Sequence, residues 1–333
     1  MTKQFYPAIY FRVATEPRAG LGHMSRMVAL RQVFKEPVKW FVDPRTKQSV
    51  GEWVAKNDEI YEETAVDSIA QLLSASNSQT DGLIICDSYN VSCEGLAVAN
   101  LPIVYFCDGS KWPGFENVTV VNCQPGAMPH KNHFAGPRFM PIDTRGKQQA
   151  KVDFDTIPHP IRCLIGFGAI DSGNMTALAL NALKSDEKIR ESVQPICLLG
   201  PHFKHDDIVK NLLESFARSQ VVRNCPSVLE LPYICDIAIG APGVSHAERL
   251  YAGIPTVLVP QNIKHAALCI GWQNEGCAVY ARPEPKHISS QINALIADQF
   301  KRARAISMRG QRVIDGKGAS RILSELTMRG WII

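Results

Sequence analysis

The chain runs twice through the same alternation of short apolar segments and helical segments, and this limits its fold more than any other feature. Apolar runs at 8–13, 38–42, 83–87, 102–107 and 118–122 are separated by helical stretches, notably 23–35 and 66–76. The texture then changes: 123–160 is crowded with Pro and Gly, a poor core and a good connection between domains. A second alternation follows, with apolar runs at 161–167, 194–199, 221–223, 236–240, 255–259 and 277–281. Helical patterns lie at 173–184, 206–217, 244–252 and 265–275, before a helical tail beyond 287. Near-continuous apolar strands are covered on both faces, and strand–helix alternation builds parallel sheets. The expectation is an α/β chain of two Rossmann-like domains with parallel sheets facing a cleft. Their expected bounds are 1–150 and 151–310, with a C-terminal helix at 311–333 available to pack back on the first domain. Ligands of such sheets sit beyond the carboxyl ends of the strands, so the interdomain cleft is the expected site.

Composition removes several classes. The 333 residues, 45% apolar and 20% charged, suffice for two cores. A net charge of +4 is too weak to indicate nucleic-acid binding. Beyond Pro283 there are nine Lys or Arg against four Asp or Glu, which fits a solvated helix face better than a patch for an anionic partner or membrane. No apolar run approaches the ~18–20 residues of an integral membrane segment, and the start has no signal-peptide pattern, so the expected location is cytoplasmic. There are ten cysteines and no CxxC; Cys86, Cys107, Cys163 and Cys197 lie inside apolar runs and read as buried thiols. His202 and His205 lack a partner cysteine, so no metal site is expected there.

Four glycine-rich or polar segments follow apolar runs. In the first, Gly20-Leu21-Gly22-His23-Met24-Ser25-Arg26 opens the first helix. Glycines admit backbone amides to a ligand, and a helix start favours an anion and disfavours an imidazolium. His23 is then either a neutral general base or a helix-capping, gap-filling residue. Gly20 and Gly22, with Asp43 after the second apolar run, also allow a dinucleotide-binding loop, but Ser25 stands where that fingerprint wants Gly or Ala. The second segment, Asp87-Ser88-Tyr89, suits sugar hydroxyls or a water, or is a simple turn, and Asp108 has the same placement. The third is Gly166 to Ser172, in which Gly168 and Asp171 face a ligand or Ser172 merely caps a helix. In the fourth, Gly240, Gly243, Val244, Ser245 and Glu248 suit a diphosphate and a ribose, while Ser245 and Glu248 equally spell a capping box.

In this order the segments resemble the UDP-2,4-diacetamido-2,4,6-trideoxy-β-L-altropyranose hydrolases of the pseudaminic acid pathway and related spore-coat polysaccharide proteins. The chain is more distantly similar to the glycosyltransferase that makes lipid II. The resemblance spans roughly 8–280, from Phe11-Arg12 and Gly20-x-Gly22-His23-x-x-Arg26 through Asp87-x-Tyr89, Gly136-Pro137-x-Phe139-x-x-Ile142 and Gly166–Asp171 to Ile239–Glu248 and Gly253-Ile254-Pro255. It implies the GT-B fold and metal-independent, cofactor-free release of UDP from a UDP-sugar. It implies that His23 activates or orients the attacking water, with Asp87 and Tyr89 facing the sugar and the water. Gly168, Gly240, Gly243, Val244, Ser245 and Glu248 would hold the nucleotide. Arg12, Gly20, Leu21, Gly22, Arg26, Asp171, Lys264 and His265 would line the substrate site. It also implies association with other enzymes of the sugar pathway.

The chain departs from that pattern at several points. Ala14 replaces an aspartate, Glu16-Pro17-Arg18 replaces small polar residues, Gly168-Ala169 replaces Gly-Gly, and Lys264-His265 takes the place of Asn-Gln. These changes concern the acceptor more than the nucleotide. A glycosyltransferase that moves a related sugar to a hydroxyl is therefore the alternative, followed by a non-catalytic nucleotide-sugar binder and a dinucleotide enzyme.

Overall fold

The computed structural model describes residues 8–15, 21–62, 82–88, 101–108, 114–145, 152–223, 225–231 and 235–332. Among them the helices are α1 (Gly22–Arg31), α2 (Lys47–Gly51), α3 (Met175–Ser185), α4 (Glu187–Ser192), α5 (Asp206–Leu213), α6 (Val244–Tyr251), α7 (Ile263–Asn274), α8 (Pro285–Val313) and α9 (Gly318–Met328). The chain divides into two compact units, one of Met1–Asp143 with Gly316–Ile333 and one of Thr144–Asp315. No helix among the described residues is long and apolar enough to cross a membrane.

The first unit holds a parallel sheet in the order β3-β2-β1-β4-β5-β6-β7. Its strands are β1 (Ala8–Val13), β2 (Val38–Val42), β3 (Glu59–Glu62), β4 (Gly82–Asp87), β5 (Ile103–Phe106), β6 (Val118–Asn122) and β7 (His133–Ala135). Every residue of β4 is buried, because helices and loops cover both faces of a parallel sheet. Phe11 meets Trp40 edge-on at 4.8 Å between ring centroids, beneath Met27 and Leu30 of α1 and Ile322 and Leu326 of α9. A polar hub pins the strand edge. The buried carboxylate of Asp58 accepts from Arg31 Nε (2.7 Å) and NH2 (2.7 Å), Trp40 Nε1 (2.8 Å) and Val38 N (2.9 Å).

The second unit repeats the plan with a parallel sheet in the order β10-β9-β8-β11-β12-β13. Here β8 is Ile161–Gly166, β9 Val193–Leu198, β10 Gln220–Val222, β11 Ile237–Gly240, β12 Thr256–Leu258 and β13 Val279–Tyr280. Leu180 and Leu183 of α3 and Ile288 and Ile292 of α8 join Ile165 and Ile239 in one core. Asp236 accepts from Arg162 N (2.8 Å), Nε (3.0 Å) and NH2 (2.7 Å), tying β8 to the entry of β11.

Some local expectations shift. The helix expected over 66–76 falls outside the described residues. The one expected over 23–35 stops at Arg31, and Gln32–Phe34 turn out of it. β3 and β7 were not expected: β3 is a four-residue edge strand with an exposed glutamate at each end, too short to show a period. The Pro/Gly-rich span is more than a connection, since Phe134 stacks on Phe139 at 5.4 Å within the first core. Cys86, Cys163 and Cys197 are buried free thiols and Cys107 is half-buried. Cations of the basic tail are held locally, Arg304 by Asp155 at 2.7 Å and Arg329 by Thr119 Oγ1 at 2.9 Å.

Candidate functional site

In the first sheet, chain order runs outward in both directions from the neighbouring strands β1 and β4, so their carboxyl ends mark the switch point. Val13, the last residue of β1, pairs with Asp87, the last of β4. The chain returns over this point as α1, which brings His23 and, one turn on, Arg26 to the same carboxylate. His23 Nδ1 lies 2.7 Å from Asp87 Oδ1. Arg26 donates from Nε to Asp87 Oδ2 at 2.8 Å and from NH2 to Oδ1 at 2.6 Å. Its guanidinium carbon sits 4.9 Å from the Phe106 ring centroid, and NH1 is 3.8 Å from Asp108 Oδ1. All three principal side chains are buried.

Burial pushes the Asp87 carboxyl up, but the charge of Arg26 and the contact with His23 outweigh it and hold the group below the usual carboxylate range. Burial likewise opposes the Arg26 charge, and Asp87 more than offsets this, so the guanidinium is held above its ordinary value. An ionised carboxylate only accepts hydrogen bonds, so His23 Nδ1 carries the hydrogen toward Asp87. In the tautomer with the hydrogen on Nδ1, the ring's lone pair is on Nε2. Cys123, close to this cluster, stays a neutral thiol because burial pushes it up to about 12.

Arg26, expected to line the substrate site, donates from both Nε and NH2 to Asp87. Beside the helix start, which disfavours an imidazolium, a carboxylate touches the His23 ring. Arg12 is buried in β1 and donates from NH1 to Val13 O at 2.7 Å. Leu21 is the N-cap residue of α1, without a side-chain cap, and Gly22 is its first residue. Gly20 and Tyr89 lie outside the described residues. Asp43, the acid of the dinucleotide alternative, is gripped by Arg45 at 2.6 and 2.8 Å. Ala14 is buried, and its N–H donates to Asp87 O at 2.9 Å.

In the second sheet the order reverses between β8 and β11, whose last residues, Gly166 and Gly240, pair with each other. A Cβ on Gly240 would lie 2.6 Å from Gly166 O and 2.9 Å from Arg249 NH1, so only glycine fits. The turn Ala241–Gly243 leads into α6, whose N-cap residue is Gly243. It has no side-chain cap and no acid in its first turn. The capping box does not form, because the helix starts at Val244 with Gly243 as its N-cap, which puts Ser245 inside the first turn. Glu248 Oε2 instead accepts from Val228 N at 3.0 Å.

The loop after β8 approaches from the neighbouring strand. Gly168 has φ +86°, and a Cβ on Gly200 would lie 2.4 Å from Ala169 Cα. Asp171, expected at the sugar, closes the start of α3: Oδ1 accepts from Met175 N at 2.7 Å and Oδ2 from Thr176 N at 2.9 Å. Asn174, not Ser172, is the N-cap. Lys264 and His265 are in the first turn of α7, capped by Asn262, whose Oδ1 accepts from His265 N at 2.9 Å. The sequence reading missed Gln261, which donates to Phe167 O at 2.9 Å and ties the end of β12 to the β8 loop. Its signal was an amide pair, Gln261-Asn262, directly after an apolar strand. Among the described residues no cluster of three or more His, Cys, Asp or Glu could hold a metal ion.

The described architecture, two parallel sheets of seven and six strands with their helices, is the GT-B fold. Solved structures that it resembles include the glycotransferase of kitacinnamycin (TM-score 0.68, 14% identity, 98% of this chain and 99% of that one). Acinetobacter baumannii MurG is similar at TM-score 0.65 and 13% identity, over 97% of this chain and 100% of that one. Phytolacca americana UGT2, complexed with UDP-2fluoro-glucose and pterostilbene, is similar at TM-score 0.62 and 12% identity, over 98% and 99% of the two chains. In sequence, an uncharacterized protein of Methanocaldococcus jannaschii is 33% identical over 102 residues, 30% of this chain and 20% of that protein's length. No family model matches the chain.

Proposed function

We propose that this chain is a metal-independent hydrolase that releases UDP from a UDP-linked 2,4-diacetamido-2,4,6-trideoxyhexose in nonulosonic (pseudaminic) acid biosynthesis. The observation that carries the proposal is the buried Arg26–Asp87–His23 relay at the switch point of the first sheet. Water attacks the anomeric carbon and gives a proton to His23 Nε2 as the bond from that carbon to the diphosphate oxygen breaks. Asp87, kept ionised by Arg26, stabilises the imidazolium that results. UDP leaves as an anion. The exposed amides of Gly243 and the first turn of α6 stabilise its charge, and Glu248 is the candidate ribose ligand. UDP-2fluoro-glucose in the UGT2 complex supports a UDP donor.

The alternative acceptor is a sugar hydroxyl. It is favoured by Ala14, a buried methyl beside Asp87 where the resembling hydrolases carry an aspartate. The deciding experiment follows UDP release from the UDP-linked diacetamido-trideoxy-altrose donor, without metal or acceptor, for the wild type and His23→Ala. Hydrolysis predicts release that falls ~10²–10⁴-fold in the variant, the usual worth of a general base, with UDP affinity unchanged. Donor binding without release points to the hydroxyl acceptor, and release indifferent to His23 removes its catalytic role.

A further inference from the structure

We infer that Arg249 is the electrostatic positioning residue of the diphosphate site at the start of α6, a buried cation whose unmatched charge the phosphates of the nucleotide complete. The inference rests on the proposed nucleotide site and adds a residue to it that touches no ligand.

Arg249 is 1% exposed. Its NH2 donates to Ala241 O at 2.7 Å, inside the turn that precedes α6, and its NH1 makes a long 3.4 Å bond to Ser245 Oγ. Nε has no partner among the described residues. Gly240 lets the guanidinium lie against the turn, since a Cβ there would come within 3.1 Å of Arg249 Cζ. The cation therefore lies between the Ala241 carbonyl of the turn and Ser245 in the first turn of α6.

Two other buried arginines, Arg26 and Arg31, are matched by carboxylates. Arg26 grips Asp87 and Arg31 grips Asp58, each with paired hydrogen bonds. Arg249 grips no carboxylate among the described residues. Glu248 acts on it only through space, with Oε2 turned to Val228 N. His246, in the same buried turn of helix, offers no negative charge either: neither ring nitrogen has a partner among the described residues, and the ring meets Trp272 edge-on at 5.0 Å. The electrostatic consequence is visible, since burial pulls Arg249 down to about 10 where Asp87 holds Arg26 up.

An unmatched buried cation is costly to the free protein, and its field reaches far through a medium of low polarisability. Here it adds to the positive end of α6 at the one place where the turn is open: nothing lies within 4 Å of a Cβ built on Gly243. Because a guanidinium only donates, Ser245 Oγ accepts from Arg249 and keeps its own hydrogen to donate outward.

The test is calorimetric binding of UDP, uridine and inorganic pyrophosphate to the wild type, Arg249→Met and Arg249→Lys, with melting temperatures of the free proteins. Arg249→Met should lose roughly 10- to 100-fold in affinity for UDP and pyrophosphate, the range expected for removing one buried charge partner. Uridine affinity should stay within about twofold, and the free variant should melt at or above the wild type because the buried charge is gone. Arg249→Lys should keep the preference for UDP over uridine, and it decides the matter if the Met variant does not fold. Equal loss of uridine and UDP, or wild-type UDP affinity in Arg249→Met, overturns the inference in favour of a packing role. Pyrophosphate binding without uridine binding to the wild type leaves the inference standing and removes the nucleoside assignment; no binding of any of the three removes both.

Discussion

His23 Nδ1 and Asp87 Oδ1 meet at 2.7 Å although 64 positions separate them in the chain. The parallel pairing of β1 with β4 makes this contact, because it ends both strands at one level, and Arg26 then closes on the same carboxylate from the next turn of α1.

Replacing Asp87 with Asn separates these roles. The isosteric amide no longer fixes the hydrogen on Nδ1, and Arg26 is left as a buried charge without its counterion. Turnover should fall ~10²–10⁴-fold, and stability by about 3–5 kcal/mol, the cost of breaking a buried pair by removing one partner. Chemical denaturation together with UDP release measures both. Unchanged stability would show that Arg26 does not depend on Asp87.

Acid should unfold the first unit through Asp58 and Asp87. Burial opposes ionisation of both, yet for Asp58 the bonds from Arg31 and Trp40, and for Asp87 the charge of Arg26, hold the folded values below the ordinary carboxylate range. A lowered folded value gives stability that is present above the unfolded pKa of ~3.9 and is lost as pH falls through the folded one. Melting temperature should therefore be flat from neutrality to about pH 5 and drop steeply below ~4. Asp58→Asn should flatten that drop; a slope identical to the wild type would place the acid-sensitive groups elsewhere.

Glu248→Gln probes the ribose. The amide oxygen still accepts from Val228 N, so stability should change by less than ~1 kcal/mol. A charged acceptor on the ribose is worth more than a neutral one, so uridine and UDP affinity should fall together by about tenfold. Titration calorimetry with uridine reads this directly, and wild-type affinity would make Glu248 purely a support for Val228.

Gly240→Ala tests the pairing at the second switch point. The new methyl would meet Gly166 O and Arg249 together, and neither backbone nor buried guanidinium can retreat cheaply. A loss of about 1–3 kcal/mol with weakened UDP binding is expected. Thermal melts with and without UDP provide the check.

The sequence by itself determined the class of fold and which segments end its strands. Alternation of buried strands and helices dictates parallel sheets, and polar or glycine-rich segments after strands must fall at their carboxyl ends. His23, Asp87, Gly240 and Glu248 were all legible as candidates for that reason. What each does was decided by tertiary structure, because a role depends on which atoms meet across the fold. Arg26 meets Asp87 because β4 ends beside α1. Asp171 became the closure of α3, and the apparent capping box dissolved because the helix began at Val244, with Gly243 as its N-cap. Gln261 was marked only by the amide pair Gln261-Asn262 after a strand, and Arg249 by no periodicity or motif. Their parts follow only from strand register and from the space that glycine leaves between neighbouring strands.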